Sequence, residues 1–475
     1  MWRAMSTFHF LNFGCRASQA DGASLKRQLL EAGLAEVEGT GQGDIAVLNT
    51  CTVTAAADAE VRQIIRRIHR ANPACRVLVT GCYAQRAADE IARLPGVSWV
   101  VGNSHKHRIA EVLERGEESE VRRQKSEAAG SNELVRIQAP IPHSKPRTPD
   151  SEFRTSGRAT VLVGAIPHEF HFAPVFVGDH TRPTLKVQDG CNARCSFCVI
   201  PEVRGPSRSL GPEKVIEQIR EFERQGYQEI VLSGINLGSY GKDLGRRIDF
   251  LGLLERLLDE TSIPRLRISS VEPMDVSPAL IRLVANEPRM ARHFHVPLQS
   301  ASDRILRLMN RRYWTRQYAE RILAVHESIP DCGIGADVMV GFPGETVEDH
   351  AASLRLIESL PFTYLHIFPY SARPGTPAAA SPDQLNGRVI RNRSREVRAV
   401  IAKKRRAFLD EQVGRTLSAL TLDATHEGAR LALTSNYLNV ALPGAEIPPN
   451  TLLDVRIGRS HEGMLYGYAE GTKPA

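Results

Sequence analysis

Between Phe8 and Gly102, short apolar runs alternate with stretches in which apolar positions return every three or four residues. The runs FHFLNFG, DIAVLNT and RVLVTG have the length and composition of buried strands. In AEVRQIIRRIHRANP, Val61, Ile64, Ile65 and Ile68 fall at helical spacing and leave a charged opposite face. Strands separated by helices predict a parallel α/β sheet. The alternation resumes after Arg182. TLKVQDG, EIVLSGIN, RLRISSV, HFHVPLQ, IGADVMVGFP and LHIFPY read as strands, with EKVIEQIREFERQ and LLERLLDE as helices among them. Six strand–helix units over about 200 residues suit a barrel or a partial barrel. After Val413 the period shortens. LSALTLDAT, ARLALTSNYLNVAL, TLLDVRIGRS and LYGYAE predict a small all-β barrel. From about Arg115 to Arg182 the pattern fades into charged, Pro- and Ser-rich sequence, the composition of a mobile linker. VLVGAIPHEFHFAPVFVG inside it is expected to hold short strands against the following domain, with His168 and His171 incidental.

Composition narrows the class. A chain of 475 residues, 42% hydrophobic and 24% charged, is an ordinary globular protein of two to four domains. A net charge of +7 permits a nucleic-acid partner. No apolar run is long enough to span a membrane, and the first fifteen residues lack a signal-peptide pattern, so a cytoplasmic location is expected. Met5 offers a start alternative to Met1. The charge is concentrated: Arg388 to Arg406 holds nine basic residues, among them Arg391, Arg395, Arg398, Lys403 and Arg405, against Glu396 alone. Such a run is a solvated helix face or a phosphate-facing one. Tyr437 in the β-barrel either stacks on bases or packs in the barrel core.

Eight cysteines in such a chain point to metal or catalysis more than to a disulfide framework. Cys191, Cys195 and Cys198 form C-x3-C-x2-C, three ligands where a closed iron–sulfur cube would take four. The position left open is where a ligand binds and reacts, as in catalytic metal sites generally. A zinc knuckle usually shows a fourth ligand at short range, and none follows. Cys15, Cys51 and Cys82 each close a predicted strand, on the edge where open α/β sheets place ligands. Three buried thiols would also fit, but the repetition favours a second three-thiolate site. Cys75 and Cys332 lie outside both sets and read as spare thiols.

At these residues the chain resembles the methylthiotransferases, a radical S-adenosylmethionine (SAM) family. FGCRAS, LNTCTVT and VTGCYAQ match the family's N-terminal motifs. DGCNARCSFCVIP, LSGINLGSYG, SSVEP, HVPLQSASDRILRLMNRRY, DVMVGFPGET and FPYSARPGTPA match its core, and ALTSNYLNV its TRAM module, an RNA-binding β-barrel. The resemblance implies an α/β N-terminal cluster-binding domain over 5–114, a linker over 115–182, a partial (β/α)6 TIM-like radical SAM barrel over 183–410, and a TRAM barrel over 411–475. It implies two [4Fe–4S] clusters and SAM. The Cys191–Cys195–Cys198 cluster would cleave SAM to a 5′-deoxyadenosyl radical, and the Cys15–Cys51–Cys82 cluster would carry sulfur that a second SAM methylates. Gly234, Asn236, Glu272 and Gln299, at predicted strand ends, are candidate SAM contacts. Asp337 and Glu345 flank the segment VMVGFPG, which looks like the adenine-contacting strand, unless either simply ends the turn.

NTCTVT, RQIIRRIHRANP, VTGCYAQ and GINLGSYG look most like the branch acting on N6-threonylcarbamoyladenosine beside the tRNA anticodon. That implies tRNA and a low-potential flavodoxin- or ferredoxin-type electron donor as partners of a monomer with no membrane attachment. Glu202, Pro206 and Ala301 depart from the family's usual residues and put local contacts in doubt. Isopentenyladenosine in tRNA and a ribosomal-protein aspartate are alternative targets. A non-enzymatic iron–sulfur electron carrier or RNA-binding protein is an alternative of another class.

Overall fold

The computed structural model describes residues 6–39, 42–114, 154–156, 159–168, 181–245, 248–444 and 446–470. Most of the expected linker, His171 included, lies outside them. The chain divides into two compact units: Met1–Pro167 with Glu202–Arg204, and His168–Pro201 with Gly205–Ala475.

The first unit is built on a seven-stranded sheet. Its strands are β1 (Thr7–Asn12), β2 (Ala35–Glu36), β3 (Ile45–Thr50), β4 (Arg76–Gly81), β5 (Val97–Gly102), β6 (Arg154–Ser156) and β7 (Ala159–Leu162), in the order β2-β1-β3-β4-β5-β7-β6. All neighbours are parallel except β6 and β7. β3 is buried at every position because both of its faces are covered. Ala46 and Leu48 pack with Val61, Ile65 and Ile68 of the helix Ala55–Ala71. Ile45 and Val47 face Leu25 and Leu29 of the helix Arg16–Glu31 on the other side. The strand expected against the following domain instead joins this sheet. Ala159, Val161 and Leu162 are fully buried, and β7 extends the row beside β5.

In the second unit the six expected core strands form. They are β8 (Thr184–Lys186), β11 (Glu229–Ser233), β12 (Arg265–Ile268), β13 (His293–His295), β14 (Gly333–Val340) and β15 (Tyr364–Pro369), with a separate short antiparallel pair, β9 (Gln188–Asp189) and β10 (Arg208–Ser209), between the first two. β8, β11 and β12 make one parallel sheet and β13, β14 and β15 another. Parallel bridges Leu266↔Met290 and Ser270↔His295 join them into one curved wall. β8 and β15 are the two edge strands of this wall, which makes it a partial barrel.

The chain ends in a closed five-stranded barrel of β16 (Thr416–His426), β17 (Ala429–Thr434), β18 (Asn439–Leu442), β19 (Leu452–His461) and β20 (Met464–Ala469), in the order β16-β17-β18-β20-β19. ARLALTSNYLNVAL, which reads as one alternating stretch, is two antiparallel strands. Thr434–Leu438 turns between them, with Tyr437 at φ +69°. This barrel packs on the amino ends of the core strands. Glu229 on β11 is wholly buried and pairs with Arg267 (2.7 Å), Arg182 (3.2 Å) and Arg265 (3.3 Å). Arg267 also donates to the Thr434 and Ser435 carbonyls, and Arg265 to Ser418 Oγ. Burial works to raise the Glu229 carboxyl, but the three guanidiniums outweigh it and hold it well below the usual range.

Candidate functional site

The sheet of the first unit delivers three cysteines to one place. Cys15 follows β1, Cys51 follows β3 and Cys82 follows β4, all at carboxyl ends of adjacent parallel strands. Two glycines let the backbone turn just before a cysteine. Gly14 has φ +105°, and a Cβ there would sit 2.6 Å from Cys51 Cβ. Gly81 has φ +94°, and a Cβ would sit 2.4 Å from the Thr50 carbonyl. Burial pushes the Cys51 thiol up to about 11, with Cys82 and Cys15 adding to it. A thiol held neutral in this way gives up its proton only to a cation that takes its place. Cys15 is the N-cap residue of the helix Arg16–Glu31. Asn103 Nδ2 donates to Cys82 Sγ (3.4 Å). The loop after Cys51 is tied to the turn after Cys82: Thr52 donates to Asp58 (2.8 Å), and Arg86 donates to both. Asn49 bridges Asn12 Oδ1 and the Ser18 carbonyl.

In the second unit the loop Cys191–Cys198 leaves β9. Gly190, at φ +71°, is the only residue type that fits there, because a Cβ would lie 2.0 Å from the Pro206 carbonyl oxygen. The departure at Pro206 thus supplies the backbone that closes this loop. Backbone N–H groups of Ala193 and Ile200 point at Cys191 Sγ (3.4 Å) and Cys198 Sγ (3.5 Å). Burial raises the Cys191 thiol and pushes Cys198 up to about 12. Among the described residues, neither triplet draws its three sulfurs within 4.8 Å of one another, the closeness a single ion would ask for. Three soft thiolates set apart, with donors aimed at sulfur, fit a cube better than zinc.

Several residues that sequence reasoning passed over hold this loop. Ser196 N–H donates to the Met309 carbonyl (3.1 Å), Asn310 to the Arg194 carbonyl (2.6 Å) and Arg311 Nη1 to Cys195 Sγ (3.3 Å). These come from the segment LMNRRY, whose spacing gives no metal signal. Buried Gln188 accepts from Asn236 N–H (2.7 Å) and donates to the Gly190 carbonyl (2.8 Å), joining the loop to the turn after β11.

The candidate SAM residues fall on the same wall. Gly234 packs its backbone on Gln188 and Leu237, with no room for a side chain. Asn236 Oδ1 is buried without a partner among the described residues, beside Cys191. Glu272 is bound by Arg311. Burial raises its carboxyl against the pull of Arg311. Gln299, at φ +60°, bridges to Val338 on β14. Asp337 meets His295 (3.1 Å) and His366 (3.3 Å), which outweigh burial and hold its carboxyl low. Glu345 ends the turn, as the plainer reading expected. Its carboxylate accepts from Gly341 N–H (2.8 Å) and is locked to buried Arg393. Ala301 is buried, its N–H donating to Ser353 (3.3 Å), and Glu202 is exposed. Cys75 and Cys332 are buried thiols.

The basic run is the helix Gly387–Asp410. It is not one uniform charged face. Arg393 is buried with Glu345, and Lys404 donates to the Glu358 carbonyl (2.7 Å). Arg391, Arg395, Arg398 and Lys403 are exposed and Arg405 is half-buried. Arg398 and Arg405 line a cleft of about 600 Å³ with Arg182, Tyr364, His366 and Tyr437. Tyr437 does not pack in the β-barrel core. Its ring stacks on His293 of the core (4.4 Å between centroids) and stands 5.4 Å from that of Tyr364, forming an aromatic wall of the cleft.

Residues 7–102 match the family model described as uncharacterized protein family UPF0004, and residues 185–357 match the radical SAM superfamily. The threonylcarbamoyladenosine tRNA methylthiotransferase MtaB of Aquifex aeolicus is 36% identical over 92% of this chain and 96% of its own. The MtaB of Bacillus subtilis is 32% identical over 98% and 96%. A tRNA-2-methylthio-N(6)-dimethylallyladenosine synthase of Pelotomaculum thermopropionicum is 31% identical over 99% and 100%. Among solved structures, the radical SAM methyltransferase TsrM of Kitasatospora setae, with cobalamin and a [4Fe–4S] cluster bound, shares the fold at a TM-score of 0.54 and 15% identity, over 79% of this chain and 77% of that one. The radical SAM match spans the Cys191 triplet and supports SAM and an iron–sulfur cluster as this chain's cofactors. The chain belongs to the radical SAM methylthiotransferase family, in its MtaB branch.

Proposed function

We propose that this protein replaces the C2 hydrogen of N6-threonylcarbamoyladenosine, next to the tRNA anticodon, with a methylthio group. The observation that carries the reading is the presence of two separate cysteine triplets in one chain. Cys191, Cys195 and Cys198 would hold one [4Fe–4S] cluster, and Cys15, Cys51 and Cys82 the second. Adenine C2 carries no acidic proton, so its functionalisation needs the radical chemistry that SAM and a reduced cluster supply when bound. Gly234, Asn236, Glu272 and Gln299 are the residues we assign to the SAM wall; Asp337, the fifth candidate, is held between His295 and His366. Gly234 lets the turn that carries Asn236 pack closely on Gln188 and Leu237, and the Asn236 Oδ1, without a partner among the described residues, offers an acceptor beside Cys191. Arg311 holds Glu272 and donates to Cys195 Sγ.

The RNA reading is supported by the cleft, in which arginines stand beside an aromatic wall as single-stranded nucleic acid requires. Arg391, Arg395, Arg398, Lys403 and Arg405 would face phosphates, and Tyr437 a base. We assign 5–114 to sulfur delivery, 183–410 to SAM chemistry and 411–475 to RNA binding. The enzyme would work in the cytoplasm as a monomer, reduced by a flavodoxin- or ferredoxin-type donor. Among the described residues no helix is long and apolar enough to cross a membrane. Mass analysis of tRNA nucleosides from cells lacking this gene tests the proposal. Loss of 2-methylthio-N6-threonylcarbamoyladenosine, with its precursor retained, is expected. Loss of the isopentenyl derivative instead would move the substrate to the other branch.

A further inference from the structure

His295, Asp337 and His366 stand on three adjacent parallel strands of the core, with Asp337 directly opposite His366 in register. Their donor atoms lie within 4.8 Å of one another. Asp337 Oδ1 is 3.1 Å from His295 Nε2 and 3.3 Å from His366 Nδ1. Ligand atoms at ordinary zinc–ligand distances in a tetrahedral site are about 3.3–3.4 Å apart, so one of the three edges has that length and a second is about 0.2–0.3 Å short of it. We propose that His295 Nε2, Asp337 Oδ1 and His366 Nδ1 form a metal site separate from both cysteine triplets, holding one divalent first-row ion of the zinc type.

The surroundings are those of a ligating histidine. Such a residue donates its second ring N–H to a fixed partner, which sets its tautomer. His295 Nδ1 is 3.0 Å from Tyr364 Oη, and that hydroxyl is 2.8 Å from Nε2 of His293. In the tautomer where Tyr364 accepts from His295 Nδ1–H and donates to His293 Nε2, the His295 Nε2 lone pair faces the Asp337 carboxylate, an arrangement that a cation between them satisfies. Gly335 makes the arrangement possible. It is opposite Tyr364 in the ladder, and a Cβ there would stand 2.0 Å from the Tyr364 ring. Two imidazoles and a carboxylate suit zinc and its neighbours over magnesium or calcium. Three protein ligands leave a position open. His366 is half-exposed and lines the cleft, so that position is within reach of a polar group entering there.

The test is metal analysis of the complete protein after both cysteine triplets have been loaded with iron and sulfide, incubated with zinc and passed through gel filtration. About one zinc per chain is expected. His366→Ala and Asp337→Asn should each lose it with iron content unchanged. Tyr364→Phe should keep the site but weaken zinc about 10–100-fold. Cobalt in place of zinc should give visible absorption in the wild type and none in His366→Ala. No stoichiometric zinc in the wild type, or equal zinc in His366→Ala, would overturn the proposal and leave a proton as the only bridge between His295 and Asp337.

Discussion

The proposed function gives Cys191 and Cys51 separable duties, and single substitutions should part them. Cys191→Ala removes a ligand of the cluster assigned to SAM cleavage. It should retain about half of the eight irons expected at four per cube, and make no 5′-deoxyadenosine under reducing conditions. Cys51→Ala should still make 5′-deoxyadenosine but yield no methylthio nucleoside, read by chromatography of both products. Normal product from Cys51→Ala would make the N-terminal triplet structural or idle. The cysteines were legible because their spacing is local, or because the same strand-end pattern recurs three times. Arg311 and Asn103 were not. Arg311 reaches Cys195 from 116 positions away, and Asn103 reaches Cys82 from 21, and neither residue type announces a metal. Glu345 shows the converse. A flanking acid in a glycine-rich motif looked available to a cofactor, and the fold uses it on Arg393.

The basic helix Gly387–Asp410 shows what periodicity conveys about an element and what it omits. Its charge was plain from composition, but which arginines face solvent depends on what packs against it. Arg393, beside buried Ser394 and Val397, turns inward. Arg391, Arg395 and Arg398 remain outside, so their reversal to Glu should weaken tRNA binding and flatten its dependence on salt, as lost phosphate contacts do. SAM cleavage without tRNA should persist. Filter binding across a salt series checks this, and unchanged affinity in the folded triple variant would place the RNA surface elsewhere. The strands of the C-terminal barrel were legible from their alternation. The break inside ARLALTSNYLNVAL was not, because it rests on a left-handed Tyr437 that no residue preference requires. That turn is what carries the ring out of the barrel and onto His293.

At the scale of the whole molecule, the parallel-sheet unit, the partial barrel and the closed β-barrel were all legible in the order of strands and helices. The joint between the last two was not. It depends on Glu229, a charge inside a strand pattern that reads as apolar. Glu229→Gln removes the counter-charge of Arg265, Arg267 and Arg182 while keeping the shape. Unpairing buried ions of this kind costs about 3–5 kcal/mol, so a clear fall in thermal midpoint is expected. The pH dependence has a definite sign. A carboxyl lowered in the folded state contributes stability above its unfolded pKa of about 4.3 and loses it as pH falls below that value. The gap between wild type and Glu229→Gln should therefore be wide at neutral pH and narrow in acid. A constant gap would mean that Glu229 acts through shape alone.

The central claim is the reaction on threonylcarbamoylated tRNA, and a reconstituted assay meets it most directly. The wild-type protein, carrying both clusters and supplied with SAM, a sulfur source and a low-potential reductant, is given anticodon stem-loops that differ only in the N6 substituent. A methylthio product is expected, by mass spectrometry, on the threonylcarbamoyl substrate and little on the isopentenyl one, and none with Cys191→Ala. Product on the isopentenyl stem-loop alone, or turnover of SAM with no methylthio product on either RNA, would contradict it.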